Sequence, residues 1–221
     1  MRTDRHPWPR YLMAAVVAAV ISTQVPIVCG QSPTEDMFIA AANDRVAEVK
    51  SLLARGVDPS AVDRNGDSAL IIAARAGNMA TVDVLLAARA AVNTRNLFGD
   101  TALMVAALGG RTDMVKKLRS RGAEVNQPGW TALIYAATGG HDEIVRYLLA
   151  EGADIDAASP NGTTALMMAV REGRLSTVEL LVSRRANVNH RNQSGASALD
   201  WAKRGNEPRL AEQLRRAGAR D

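Results

Sequence analysis

The 221-residue chain is 47% hydrophobic, 23% charged and only 4% aromatic, a soluble globular composition in which a large sandwich or barrel core is disfavoured. Its net charge of +4 and pI near 9.6 are dispersed. Residues 1–30 hold Arg2, Arg5 and Arg10 against Asp4, and the remaining 24 basic side chains face 22 acidic ones. No dense basic stripe of the kind nucleic acid requires is present, so no nucleic-acid partner is expected. One cysteine, Cys29, excludes an intramolecular disulfide, a cysteine-rich zinc site and a CxxC redox pair.

Residues 1–30 read as a secretory signal peptide. A polar, net-positive start is followed by the uncharged apolar run Tyr11 to Ile21, and small residues lead to an expected cut after Gly30. A cut after Ser22 is an alternative, and so is a retained membrane anchor. From Tyr11 to Val28 the stretch barely reaches the roughly 17–25 residues of a bilayer span, and Pro26 interrupts it. Val28 ahead of Cys29 departs from a lipoprotein motif. A membrane contact is therefore expected only if the segment stays uncleaved. Ser32, Pro33 and Glu35 form a capping-box pattern that opens the first helix just after the cut.

The rest of the chain repeats itself. Gly66, Gly99, Gly129, Gly162 and Gly195 are each followed by x-Ser/Thr-Ala-Leu, at steps of 33, 33, 30 and 33. A second series, Val92-Asn93, Val125-Asn126, Ile155-Asp156 and Val188-Asn189, advances by 33, 30 and 33. Three residues are therefore missing between Asn126 and Gly129. Each unit predicts a helix capped by the Ser/Thr hydroxyl, a left-handed glycine (Gly77, Gly110, Gly140, Gly173), a second helix and an extended loop. The second helices place Val82, Leu85 and Leu86, or Ile144, Val145, Leu148 and Leu149, on one face. No unit buries its apolar face alone, so the units must stack.

These residues resemble the ankyrin repeat, whose consensus runs G-x-T-P-L-H-x-A-A-x-x-G-H and continues through V-x-x-L-L-x-x-G-A-D-V-N. The resemblance spans residues 33–221 and implies an all-α solenoid of about six helix-turn-helix units (33–62, 63–95, 96–127, 128–158, 159–191 and 192–221), the first and last acting as caps. Arg89 and Arg185 stand where the consensus has a left-handed glycine, and strain is expected there.

Chemistry-bearing motifs are scarce. His141 sits where the consensus has histidine, and His190 has no triad partners in its own motif. Asp154 and Asp156 occupy the consensus turn. No phosphate loop, HExxH, GxSxG or EF-hand loop occurs. No catalysis, metal or cofactor is expected. The resemblance to exported bacterial ankyrin proteins implies a monomeric, periplasmic scaffold for a partner protein, with a protective role in oxidative or envelope stress as an alternative and an enzyme as a remote one.

The resemblance also places partner contacts on the loop tips and the exposed side of the first helices. Unit two contributes Arg64, Asn65, Asp67 and Arg75; unit three, Leu97, Phe98, Asp100 and Leu108. Trp130 and Thr138 follow from unit four, and Asn161, Thr163, Arg171 and Glu172 from unit five. Leu97, Phe98 and Trp130 stand out as apolar residues at positions expected to be exposed, beside the shortened loop. They read either as interface anchors or as Phe98 and Trp130 packing on each other.

Overall fold

The Ser and Thr residues of the repeat begin the first helices through their own side chains. In a computed structural model of the chain, the hydroxyls of Ser68, Thr101, Thr131, Thr164 and Ser197 each accept a hydrogen bond from the amide three residues on. The structure describes residues 32–220; the expected export signal lies outside them. Twelve helices are present among the described residues, in six consecutive pairs: α1 (Pro33–Ala42) and α2 (Val46–Ala54), α3 (Ala69–Ala76) and α4 (Met79–Ala87), α5 (Ala102–Leu108) and α6 (Thr112–Ser120), α7 (Ala132–Gly139) and α8 (Asp142–Ala150), α9 (Ala165–Arg171) and α10 (Leu175–Ser183), α11 (Ala198–Arg204) and α12 (Pro208–Arg216). None is long and apolar enough to cross a membrane.

Between the helices of a pair the chain reverses at a left-handed residue. Gly77, Gly110, Gly140 and Gly173 have φ between 67° and 90°. The first and last pairs use Asp44 and Asn206 at the same place, with φ of 53° and 54°. The next residue ties adjacent units together. Asn78 donates to the carbonyl oxygens of Ala41 and Ala42, Arg111 to those of Ala74 and Arg75, and Arg174 to that of Thr138. The His141 ring lies 2.9 Å from the Leu108 carbonyl in the same role. His141 is thus one of four side chains that satisfy the open carbonyls at the end of a neighbouring first helix.

First helices pack on first helices along the series α1, α3, α5, α7, α9, α11. Ala73, Ala74, Ala106, Ala107, Ala136 and Ala137 are fully buried between them, and Leu70, Leu103, Leu133 and Leu166 fill the core. Burying each such leucine contributes roughly 1.5–3 kcal/mol. Met37, Met104, Met114, Met167 and Met168 are buried as well, where their unbranched chains fill gaps among the alanines.

The long loops join units through the second repeat series. Asn93 donates to the Gly122 carbonyl and accepts from the Glu124 amide. Asn126 does the same with Gly152 and Asp154, and Asn189 with Gly218 and Arg220. The equivalent Ser60 and Asp156 carry no amide donor, and among the described residues each accepts one bond, from Ala91 and Asn187. The left-handed residue opposite those two is Arg89 (φ 62°) and Arg185 (φ 65°) rather than glycine. The left-handed conformation expected at both arginines is therefore present, at the two joints that lack a second hydrogen bond.

Candidate protein-binding surface

Four of the loops end in fingers of one design. The residue three before the finger glycine holds the tip with its side chain. Asp63 Oδ1 accepts from the amides of Asn65 and Asp67, Asn96 Oδ1 from Phe98 and Asp100, and Asn192 Oδ1 from Ser194 and Ala196. In the finger near residue 160, Ser159 Oγ accepts from the Thr163 amide. Backbone bonds close each tip as well, for example Asp63 N–H to Asp67 O at 3.0 Å and Asn96 N–H to Asp100 O at 3.0 Å.

The finger at residues 126–131 lacks this construction. Asn126 is also three residues before its glycine, but its amide group is committed to the joint with Gly152 and Asp154. With three residues missing, one asparagine stands where two residues serve elsewhere. Among the described residues, neither the Gln127 nor the Gly129 amide donates a hydrogen bond. Gln127 is buried and its Oε1 has no hydrogen-bond partner among the described residues. Arg95 reaches across from the preceding finger and donates to the Gly99 and Pro128 carbonyls at 3.1 and 2.9 Å.

Three residues expected to meet a partner are turned inward instead. Asp67, Asp100 and Thr163 follow the finger glycine directly and are buried, because the closed tip folds this position against the first helices. Asp67 takes two bonds from Arg75, at 2.6 and 2.9 Å, and one from Asn96 Nδ2 at 2.7 Å. Asp100 accepts from the Tyr135 hydroxyl. The result is a polar chain, Arg75–Asp67–Asn96–Asp100–Tyr135, across three units, buried except at the half-exposed Arg75. Burial raises the Asp100 carboxyl above the usual range, and the Tyr135 hydroxyl and the Arg75 charge only partly oppose it. Burial also works against the Arg75 guanidinium, but its bonds and charge pairing with Asp67 outweigh that and raise its pKa. Asn96 and Tyr135 are not marked by any of the repeat's consensus positions. The recurrence of Asp63, Asn96, Ser159 and Asn192 three residues before glycine is the signal that would have revealed Asn96.

The other expected contact residues divide. Arg64, Asn65, Leu97, Phe98 and Arg171 are exposed, with Leu97 at 76% and Phe98 at 40%. Arg75, Leu108, Thr138, Asn161 and Glu172 are half-buried. Thr138 Oγ1 bonds to the Ile134 carbonyl of its own helix, and Arg171 lies 5.8 Å from the Trp201 ring centre. Trp130 is half-buried rather than free-standing, and packs edge-on against Tyr135 with ring centres 6.0 Å apart. His190, like His141, meets a backbone carbonyl, that of Gly162 at 2.9 Å. No group of three or more His, Cys, Asp or Glu able to hold a metal ion occurs among the described residues.

A sequence comparison with curated proteins finds no match. The family model "Ankyrin repeats (3 copies)" matches residues 37–128, 124–192 and 157–220. Among solved structures, the human ASB11 ankyrin repeat domain is similar, with 30% sequence identity and a TM-score of 0.76 over 86% of this chain and 85% of that one. With the glycine-x-Ser/Thr caps, paired helices and projecting fingers already described, these matches identify the chain as a member of the ankyrin-repeat family.

Proposed function

We propose that this protein is a non-catalytic, monomeric scaffold that is exported to the bacterial periplasm and binds a partner protein through its finger tips and the exposed side of its first helices. Ankyrin repeats are protein–protein interaction modules. The observation that carries the reading is the apolar group beside the short finger: Leu97 and Phe98 are exposed and Trp130 is half-exposed, at positions where the repeat itself requires no large apolar side chain. The export clause rests on the charged and apolar pattern of residues 1–30.

Two measurements test the reading. Intact mass of the exported protein gives the fate of the N-terminal segment: loss of about 30 residues supports a periplasmic protein, and full-length mass in the membrane fraction replaces it with an anchored one. Capture from envelope extracts is then compared for wild type and Trp130→Ala. Capture abolished with little change in melting temperature supports an interface at this patch. Lower stability with capture intact assigns Trp130 to the scaffold.

A further inference from the structure

One position on the exposed side of the first helices holds an arginine in three units, and the units treat it differently. It lies eight residues after the residue that follows the finger glycine: Arg75 in unit two, Arg171 in unit five and Arg204 in unit six. In unit two the residue eight before is Asp67, which is buried and takes two bonds from Arg75, at 2.6 and 2.9 Å. In units five and six the same place is held by Thr163 and Ala196, both buried and neither charged. Thr163 Oγ1 has no hydrogen-bond partner among the described residues, so it does not stand in for the carboxylate of Asp67. These two units keep the arginine and lack the internal acid.

Arg171 and Arg204 are both exposed and flank one aromatic ring. The Arg171 guanidinium carbon lies 5.8 Å from the ring centre of Trp201, on the neighbouring α11, and its ion pair with Glu172 is long, at 3.9 Å. Trp201 is half-buried, and Arg204 follows it by three residues, one turn along the same face of α11. A planar guanidinium stacked on an aromatic ring still presents its N–H edge to a carboxylate. Burial holds the Arg171 pKa below the usual arginine value, and Glu172 opposes this only in part; at Arg75 the bonds and charge of Asp67 reverse the sign. Among the described residues Arg204 makes no ion pair or hydrogen bond. Lys203 and Glu207 are exposed to either side of it in the chain. Asp200 is engaged by the Ser197 amide at 2.8 Å and by Arg191 at 3.1 Å. Three cations, Arg171, Lys203 and Arg204, thus stand beside two other carboxylates, Glu172 and Glu207.

We infer that Arg171, Trp201 and Arg204 form a carboxylate-binding site on the exposed side of α9 and α11, where an acidic segment of the partner protein supplies the carboxylates that Thr163 and Ala196 do not. The inference rests on the scaffold reading above and specifies the partner's chemistry. An acidic side chain fits because the same repeat position already holds one, Asp67, within unit two. Bonds between guanidinium and carboxylate are strong and directional, and opposite charge across an interface selects the partner.

The test uses the full-length protein and a fluorescein-labelled synthetic octapeptide alternating Glu with Ala, amidated at its C-terminus and read by fluorescence anisotropy. A counterpart carries Gln for every Glu. The Glu peptide is expected to bind at least tenfold more tightly than the Gln peptide. Arg171→Gln and Arg204→Gln are each expected to weaken it several-fold, and Arg64→Gln, at an exposed arginine of the first finger, to leave it unchanged. Thr163→Asp gives Arg171 the internal carboxylate that Arg75 has, and is expected to weaken the Glu peptide at least fivefold; should that variant not fold, the two glutamine variants decide. Equal binding of the Gln peptide, no binding of the Glu peptide, wild-type affinity in both Arg171→Gln and Arg204→Gln, or an equal loss in Arg64→Gln overturns the inference. Envelope capture separates it from the scaffold reading. A partner captured equally well by the double variant Arg171→Gln, Arg204→Gln refutes this site and leaves the scaffold standing.

Discussion

Asn96 and Asn126 both stand three residues before a finger glycine, yet they do different work. Asn96 holds its own tip, accepting from Phe98 and Asp100 at 3.0 and 2.8 Å and donating to Asp67 at 2.7 Å. Asn126 spends both ends of its amide on the next unit, donating to Gly152 at 2.8 Å and accepting from Asp154 at 2.9 Å. In unit three the two duties fall to Asn93 and Asn96; in unit four the three-residue deletion merges them. The joint between units keeps the asparagine and the finger loses it. Stacking is thereby preserved where the core needs it, and the short finger is left without a side-chain clasp of its own.

The largest loss of stability is expected at Asn96. Asn96→Ala leaves the Asp67 carboxylate short of a donor and the Phe98 and Asp100 amides without their side-chain acceptor, the first and last of these at a buried site. The expected loss is about 2–3 kcal/mol in urea unfolding. Asn126→Ala should cost less, about 1–2 kcal/mol, since its bonds lie at an exposed joint. The amide exchange rate of Leu97 should not change. If Asn126→Ala instead speeds exchange at Leu97, the two duties are not separable as described.

At the arginine joints a substitution is expected to stabilise. Gly122, Gly152 and Gly218 each receive a bond from an asparagine, whereas Arg89 and Arg185 face Ser60 and Asp156. Arg89→Gly or Arg185→Gly removes a left-handed non-glycine residue and should raise stability by about 0.5–1 kcal/mol, net of the entropy that glycine adds to the unfolded chain. Ser60→Asn should add stability when combined with Arg89→Gly by supplying the missing donor. A melting temperature that is unchanged or lower in both glycine variants would show that the arginines are unstrained.

The smallest effect is expected at Asp100. Its carboxyl is raised by burial, so the folded protein holds that proton more firmly than the unfolded chain does. Its contribution is therefore fully favourable below the unfolded carboxyl pKa and is lost as pH rises through the folded value. Asp100→Asn keeps an acceptor for Tyr135 and removes the buried charge. Its melting temperature at pH 7 should equal or exceed wild type, with the advantage shrinking as pH falls toward 4. A marked loss at pH 7 would mean that the attraction to Arg75 outweighs burial.

Much of this was legible in the chain itself. A period carrying a cap, an alanine pair and a left-handed turn in every unit leaves little freedom of fold, and the hydroxyl caps and the glycine reversals stand where the repeats place them. The left-handed Arg89 and Arg185 were legible for the same reason. The inward side of the fingers was not. Asp67, Asp100 and Thr163 look like surface residues because polar side chains in loops usually are. Their burial depends on Asn96 and Tyr135, the latter 35 residues beyond Asp100, and such cross-unit contacts leave no local periodicity to read. Trp130 was legible as an oddity, but its edge-on packing against Tyr135 requires the helix that follows it to be in place.

Backbone hydrogen exchange tests most directly the claim that the array is interrupted at one finger. In the free full-length protein the Leu97 and Gln193 amides, bonded to Asn65 and Asn161, should exchange about a hundredfold more slowly than the Gln127 and Gly129 amides. Protection at Gln127 and Gly129 equal to that at Leu97 in the free protein would mean that the short finger is paired like the others, and would contradict the account.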